Sequence, residues 1–197
     1  MIRLKFLIIF CMAIFCLDLS ASAQIIGSDA GRTNENWTVT DAGHFTVFYG
    51  PDVNIEKVNK RVKIDFYDII FEKVYYSVMK NGTAEQQMSE KLELILQKVE
   101  KILDMYPRKI NINVRIYKDQ AQLNKTYSEV LGRANHKNDI SFYVHKYTTI
   151  YTTQKVISTG LLAHEIGHAV IDHYFLILPP ETVKEILAQH VELHLED

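Results

Sequence analysis

The feature that most constrains the fold is a polar triplet inside an apolar segment. His164, Glu165 and His168 form the pattern His-Glu-x-x-His. Their neighbours are apolar, namely Leu161, Leu162, Ala163, Ile166, Ala169 and Val170. This spacing predicts a helix that is buried over most of its surface. Two imidazoles and a carboxylate are costly to bury unless a metal ion or dense hydrogen bonding satisfies them, so the helix must present a polar site.

The spacing of the two histidines suits one metal ion. Residues four apart lie one turn apart on the same helical face, so His164 and His168 can both direct a ring nitrogen at one Zn²⁺. Glu165 is placed to hold the metal-bound water molecule and does not itself bind the metal. A catalytic zinc usually has a third protein ligand. The candidates lie on a predicted helix from Pro180 to Leu195 and are Glu181, Glu185, His190, Glu192 and His194.

The segment from Pro179 to Glu192 resembles the one that follows His-Glu-x-x-His in peptidase MA-like gluzincins, where a proline introduces a helix reading roughly Glu-Gly-Leu-Ala-x-Tyr. Here Glu185-Ile186-Leu187-Ala188-Gln189-His190 matches the glutamate, the Leu-Ala pair and a ring at the aromatic position. The resemblance implies that Glu185 is the third zinc ligand. Ile186 stands where the family motif has glycine. This difference does not affect the proposed ligands, because that glycine is not one of them. Glu192, two turns further on roughly the same face, is the alternative.

The same resemblance implies a fold. We expect an α+β, zincin-like domain in which a small β-sheet packs on the active-site helix, with a long helical segment and a C-terminal ligand helix. The sequence predicts these elements in order: a strand at His44–Tyr49, helices at Asn54–Lys80 and Ala84–Tyr106, a strand at Lys109–Lys118, a helix at Asp119–Leu131, and one or two strands within Asp139–Thr153.

Several polar side chains are candidates for supporting roles around the metal. Gln189 and Asp172 each follow a ligand by one helical turn and could accept a hydrogen bond from the outer nitrogen of a ligand histidine. The oxyanion of an acyl-transfer reaction needs a donor besides the metal. The sequence leaves five candidates for that donor, which are Tyr143, Tyr147, Tyr151, His145 and His190.

The first 23 residues predict an export signal. Arg3 and Lys5 precede an apolar run, and Ala21-Ser22-Ala23 provides a small-residue cleavage site. The apolar core is shorter than the roughly 20 residues that a spanning helix needs, so we expect cleavage, export to the periplasm or medium, and no stable membrane anchor. Both cysteines, Cys11 and Cys16, lie in this signal. The mature chain therefore has no disulfide, no thiol nucleophile and no thiolate ligand.

Residues 24–36 are polar and predict a flexible lead-in, and residues 37–197 predict a single domain. With 22 Lys+Arg against 24 Asp+Glu and a net charge of −2, the chain lacks the basic footprint of a nucleic-acid-binding protein. Three arrangements of the active site stay open: the site is shallow, a partner protein supplies its far wall, or the long helices of residues 54–106 fold over it.

The leading functional hypothesis is an exported zinc-dependent metallopeptidase in which Zn²⁺ lowers the pKa of a water molecule and Glu165 takes its proton. By resemblance, an extended peptide substrate is expected to add to the edge strand within Asp139–Thr153. Two alternatives remain open. One is a non-catalytic exported binding module that zinc stabilises, and the other is a zinc hydrolase that acts on a non-peptide amide.

Overall fold

Five strands form one mixed sheet, and the protein is α+β. The computed structural model describes residues 38–64, 79–136 and 139–195. The strands are β1 (Thr38–Ala42), β2 (Phe45–Tyr49), β3 (Ile112–Tyr117), β4 (Ser141–Val144) and β5 (Thr149–Thr153), in the spatial order β1-β2-β3-β5-β4. The α-helices whose full bounds lie within these ranges are α1 (Ile55–Arg61), α2 (Ala84–Leu103), α3 (Gln120–Leu131), α4 (Thr159–Tyr174) and α5 (Glu181–Leu193).

The centre of the sheet is parallel and both of its edges are antiparallel. β2 pairs with β3 and β3 with β5 in parallel, whereas β1 and β4 each pair antiparallel with the neighbouring strand. Both strands expected before residue 120 are present, and the alternation in β3 buries Ile112, Val114 and Ile116. The segment Asp139–Thr153 forms two strands, joined by a 3₁₀ turn at His145–Tyr147.

The two faces of the sheet carry different helices. One face packs with α1, α2 and α4 around the main hydrophobic core, to which β5 contributes Ile150. The other face carries α3, and there Tyr151 joins a smaller cluster with Tyr117, Leu123, Tyr127 and Phe142. Because neighbouring residues of a strand point to opposite faces, β5 links the two clusters.

The prediction of one unbroken helix from Asn54 to Lys80 is wrong at residues 62–64. Helix α1 starts after Asn54, whose side chain accepts a hydrogen bond from the Lys57 backbone N–H, and ends at Arg61. The ammonium group of Lys91 donates to the carbonyl oxygens of Asn59 and Val62, both at 2.7 Å. These bonds satisfy carbonyls that a helix end leaves without partners. The rest of the predicted helix, residues 65–78, lies outside the described residues.

The next two helices agree more closely with the sequence. Thr83 and Gln86 form a capping box at the start of α2, and that helix ends at Leu103, three residues before the predicted end. The predicted helix Asp119–Leu131 is present as α3, which Asp119 caps and Gly132, with φ of +65°, ends. The left-handed conformation explains why a glycine stands there.

The predicted signal peptide, residues 1–23, and the lead-in, residues 24–36, lie outside the described residues, so both stay predictions. Within the described ranges, no helix is long and apolar enough to cross a membrane.

Candidate metal centre

Helix α4 carries the His-Glu-x-x-His pattern through the main core. The Ser158 side chain accepts a hydrogen bond from the Leu161 backbone N–H and caps the helix. The Thr159 hydroxyl donates to the carbonyl of Lys63 and ties the start of α4 to the chain beyond α1. From Leu162 to Asp172 only His164 is not fully buried. The sequence-based expectation of a buried helix with a polar site is therefore met.

Helix α5 lies close against α4. It begins at Glu181, directly after Pro180, and ends at Leu193, within the predicted segment Pro180–Leu195. The helices pack closely at Gly167, where an added Cβ would lie 3.5 Å from the Cα of Ala188. The packing of α5 on α4 brings Glu185 within reach of the histidines of α4.

Three ligand atoms from His164, His168 and Glu185 converge on one point. All of them lie within 4.8 Å of one another. The two histidine Nε2 atoms are 3.3 Å apart. The Glu185 carboxylate places Oε1 at 3.5 Å from Nε2 of His168 and Oε2 at 3.7 Å from Nε2 of His164. Of the five third-ligand candidates, Glu185 is the one that joins the histidines.

These separations fit a tetrahedral zinc site. Bonds of about 2.1 Å to nitrogen and about 2.0 Å to oxygen, at tetrahedral angles, set neighbouring ligand atoms about 3.4 Å apart. The two histidine nitrogens, 3.3 Å apart, lie close to that value, and each has a different Glu185 oxygen nearby, Oε1 at 3.5 Å from His168 and Oε2 at 3.7 Å from His164. Two imidazoles and a carboxylate are also the donor set that catalytic zinc sites use, so the residues present fit this metal.

The pKa of His168 and the surroundings of His164 are also compatible with metal binding. Burial, assisted by the neighbouring His164, lowers the pKa of His168 to about 4. The ring is therefore neutral at physiological pH, as a metal ligand must be. Nδ1 of His164 is buried without a hydrogen-bond partner, and Oε2 of Glu192 lies 3.5 Å from it. Glu192 thus lies behind His164, on the side away from Glu185, and not among the converging atoms.

Glu165 is almost fully buried beside this cluster, with 5% of its surface exposed. Burial raises its pKa to about 8, and the nearby negative charges of Glu185 and Asp139 act in the same direction. Hydrogen bonding from Ser141 and the Tyr143 backbone, both in β4, partly offsets this rise. A carboxyl group with a pKa near neutrality can both accept and return a proton.

The two predicted supporting residues take other positions. Gln189 is exposed and, among the described residues, forms no hydrogen bond with either histidine. Asp172 is buried, but its carboxylate pairs with Nδ1 of His145 at 3.3 Å and with Nζ of Lys184 at 3.5 Å. No sequence pattern predicts that His145, Asp172 and Lys184 come together, because they belong to three separate elements.

The cluster opens into a cavity of about 560 Å³. One side is formed by α4 and α5. The opposite side is formed by β4, by α3, and by the chain after α3, through residues that include Tyr127, Leu131, Arg133, Asp139 and Phe142. None of the described residues between 54 and 106 lines it. Residues 65–78 lie outside the described residues, so the expectation that those helices form the far wall stays a prediction. Periodicity identified α3 but could not reveal which face of the sheet it covers.

The five oxyanion-donor candidates separate clearly by position. Tyr143 and His145 line the cavity, whereas Tyr147, Tyr151 and His190 do not. Tyr151 is buried in the cluster on the far face of the sheet.

No protein-family model, curated protein or solved structure matches this chain. The resemblance to the gluzincins therefore depends on the motifs in α4 and α5 alone.

Proposed function

We propose that this protein is an exported zinc-dependent metallopeptidase with a zincin-like fold. The observation that carries the proposal is the convergence of His164, His168 and Glu185 beside the buried carboxyl group of Glu165. This arrangement matches the ligand set and the general base that the sequence motifs imply by resemblance. The mixed α+β architecture, with a small sheet next to α4, is compatible with the zincin-like part of the proposal.

Zinc held by these three residues would supply a Lewis acid that lowers the pKa of water and polarises the scissile carbonyl. Glu165 accepts a proton from the attacking water as its oxygen bonds to the carbonyl carbon. As the carbon–nitrogen bond breaks, Glu165 returns that proton to the leaving amine.

Two features favour catalysis over a purely structural zinc. In the part of the chain that the structure describes, the group that could hold a metal has three members and no fourth side chain. Structural zinc sites are usually closed by four protein ligands, whereas catalytic sites keep one position for water or substrate. The cavity beside the cluster supplies the space for that substrate.

The position of β4 favours a peptide over another amide. β4 is an edge strand, paired on one side with β5, and Ser141, Phe142 and Tyr143 line the cavity. An extended peptide can pair with the free backbone groups of such an edge. The strand then holds the scissile bond beside Glu165, and the side chains that line the cavity meet those of the substrate.

The test is the substitution Glu165→Gln, with Glu129→Gln on the exposed surface of α3 as a matched control. The amide nearly preserves the size of the side chain but removes the base, so we expect kcat to fall by about 10²- to 10⁴-fold. Zinc content, measured by metal analysis of the purified protein, should stay at one ion per chain in both variants. Full activity in Glu165→Gln would contradict the proposed mechanism, and loss of zinc from it would show that Glu165 is needed to build the site.

A further inference from the structure

The group formed by His145, Asp172 and Lys184 is not used by the chemistry described above, although all three side chains line the cavity. Asp172 is the centre of the group, and its side chain is 2% exposed. Its two carboxylate oxygens face different nitrogen atoms, with Oδ2 near Nδ1 of His145 and Oδ1 near Nζ of Lys184. A buried carboxylate needs such partners, because an unpaired charge is costly to bury.

His145 is held from two sides. Asp172 engages Nδ1, which leaves Nε2 as the nitrogen available to a molecule in the cavity. The ring of His173 packs edge-on against the ring of His145, with centroids 5.9 Å apart, while the Nδ1 atom of His173 lies 2.8 Å from the Ala169 carbonyl oxygen. Half of the His145 side chain is still exposed. An oriented ring with one accessible nitrogen is suited to contact a substrate.

Tyr143, the other donor candidate that lines the cavity, is less suited. Its hydroxyl is buried and has no hydrogen-bond partner. Burial, together with the negative charge of Asp172, raises its pKa well above the usual range, so the group stays neutral. A hydroxyl without accessible surface cannot contact a substrate unless neighbouring side chains move. Tyr143 therefore forms part of the wall, and the accessible donor of the two is His145.

We propose that the His145 ring, protonated on both nitrogens with Nδ1 facing Asp172, donates a hydrogen bond from Nε2 to the carbonyl oxygen of the scissile peptide and stabilises the negative charge that develops there, while Asp172 positions the ring. This inference rests on the proposed peptidase function. A donor fixed before the reaction is effective because it costs little reorganisation when charge develops. His145 would then be a catalytic residue, supplied by the turn that follows β4, and Asp172 a positioning residue.

The first experiment compares His145→Ala with His190→Ala, an exposed histidine outside the cavity. We expect His145→Ala to lower kcat by about 10²- to 10³-fold, with KM and zinc content near wild type, and His190→Ala to change none of them. His145→Gln, which retains an N–H donor, should recover part of the loss. Wild-type kcat in His145→Ala would overturn the inference and leave the peptidase proposal intact, as would loss of zinc from that variant without loss of specific activity per bound zinc.

A peptide phosphinate, which mimics the tetrahedral anion of amide hydrolysis, provides a second measurement that needs no turnover. The affinity of the zinc-loaded His145→Ala protein for this probe should fall by about the same factor as kcat, since a donor to the oxyanion acts on both. Equal affinities in wild type and variant would overturn the inference. If the wild-type protein hydrolyses no peptide, the proposed function fails and the inference fails with it.

The positioning role of Asp172 is tested by a double-mutant cycle. Asp172→Asn should lower kcat in the wild-type background but have little further effect in the His145→Ala background, because Asp172 acts through that ring. Equal losses in the two backgrounds would assign Asp172 a structural role only and overturn this part of the inference.

Discussion

The two helices that share the candidate metal site differ sharply in their surroundings. In α4 nearly every residue from Leu162 to Asp172 is buried, His168 included, and the apolar neighbours of both histidines belong to the main core. In α5 only Ala188 and Val191 are buried, and the Glu185 side chain remains 45% exposed. The two histidine ligands thus come from a mostly buried helix, and the glutamate ligand comes from a mostly exposed one.

This difference separates two tasks. The histidines take their positions from core packing, which folding itself enforces. Glu185 takes its position from the contact between α5 and α4, which depends on a few close approaches such as the one at Gly167. We therefore expect changes in α4 to affect folding and metal binding together, and changes in α5 to affect metal binding alone.

The largest expected difference is between His168→Ala and Glu185→Ala. Both should weaken zinc binding by more than the roughly 10- to 100-fold that loss of an outer partner costs, because each removes a ligand. In chelator-treated protein, His168→Ala should also lower the free energy of unfolding by about 1–3 kcal/mol, whereas Glu185→Ala should change it by less than about 0.5 kcal/mol. Zinc titration and urea unfolding provide the two measurements, and equal destabilisation by both variants would refute the division.

The contact at Gly167 offers a matched pair of substitutions. The added Cβ of Gly167→Ala meets Ala188 and Val191 at 3.5–3.7 Å, ordinary contact distances. This variant should gain up to about 1 kcal/mol from helix propensity and keep its zinc affinity. Gly167→Leu must push α5 away, which should cost about 1–3 kcal/mol and weaken zinc binding by displacing Glu185. Urea unfolding and zinc titration of both variants measure these effects, and unchanged zinc affinity in Gly167→Leu would contradict the proposed dependence on close packing.

A smaller effect is expected in the pH dependence of the chelator-treated protein. The folded state keeps a proton on Glu165 up to about pH 8, whereas an unfolded chain releases it near its ordinary value of 4.5. The folded state therefore binds more protons in this window, and stability falls as pH rises. His168, with its lowered pKa, has the opposite effect, but only below about pH 6.5.

Between pH 6.5 and 8 the Glu165 contribution should thus act alone and reduce stability by roughly 1–2 kcal/mol. Urea unfolding at several pH values measures this slope. Glu165→Gln should remove it, and an unchanged slope in that variant would assign the effect to other groups.

The sequence predicted local elements well because their determinants are local. The alternation in β3 predicts a strand that the structure reproduces, and the caps at Thr83 and Asp119, which the structure adds, are also set by residues within one turn of the chain. The spacing of His164, Glu165 and His168 determines their common face, and the match to the family motif pointed to Glu185. The break after α1 could not be predicted, since it depends on Lys91, which lies in another helix.

The rest of the site arises from tertiary contacts. The side of the cavity formed by α3 depends on which face of the sheet that helix covers, and the pairing of His145 with Asp172 joins a turn after β4 to the middle of α4. Neither the position of α3 nor the pairing of His145 with Asp172 produces a periodic pattern in the sequence that could predict it.

The parallel pairing of β2 with β3 has a consequence for the order of folding. That pairing joins Phe45 to Ile112, which are far apart along the chain. A long loop must therefore close before the two strands can pair. The α4–α5 hairpin brings His164 and Glu185 together across a much shorter stretch. Loop-closure entropy makes distant pairings slower to form than local ones. The helical hairpin that carries the candidate ligands can therefore assemble early, before the sheet that completes the cavity has formed.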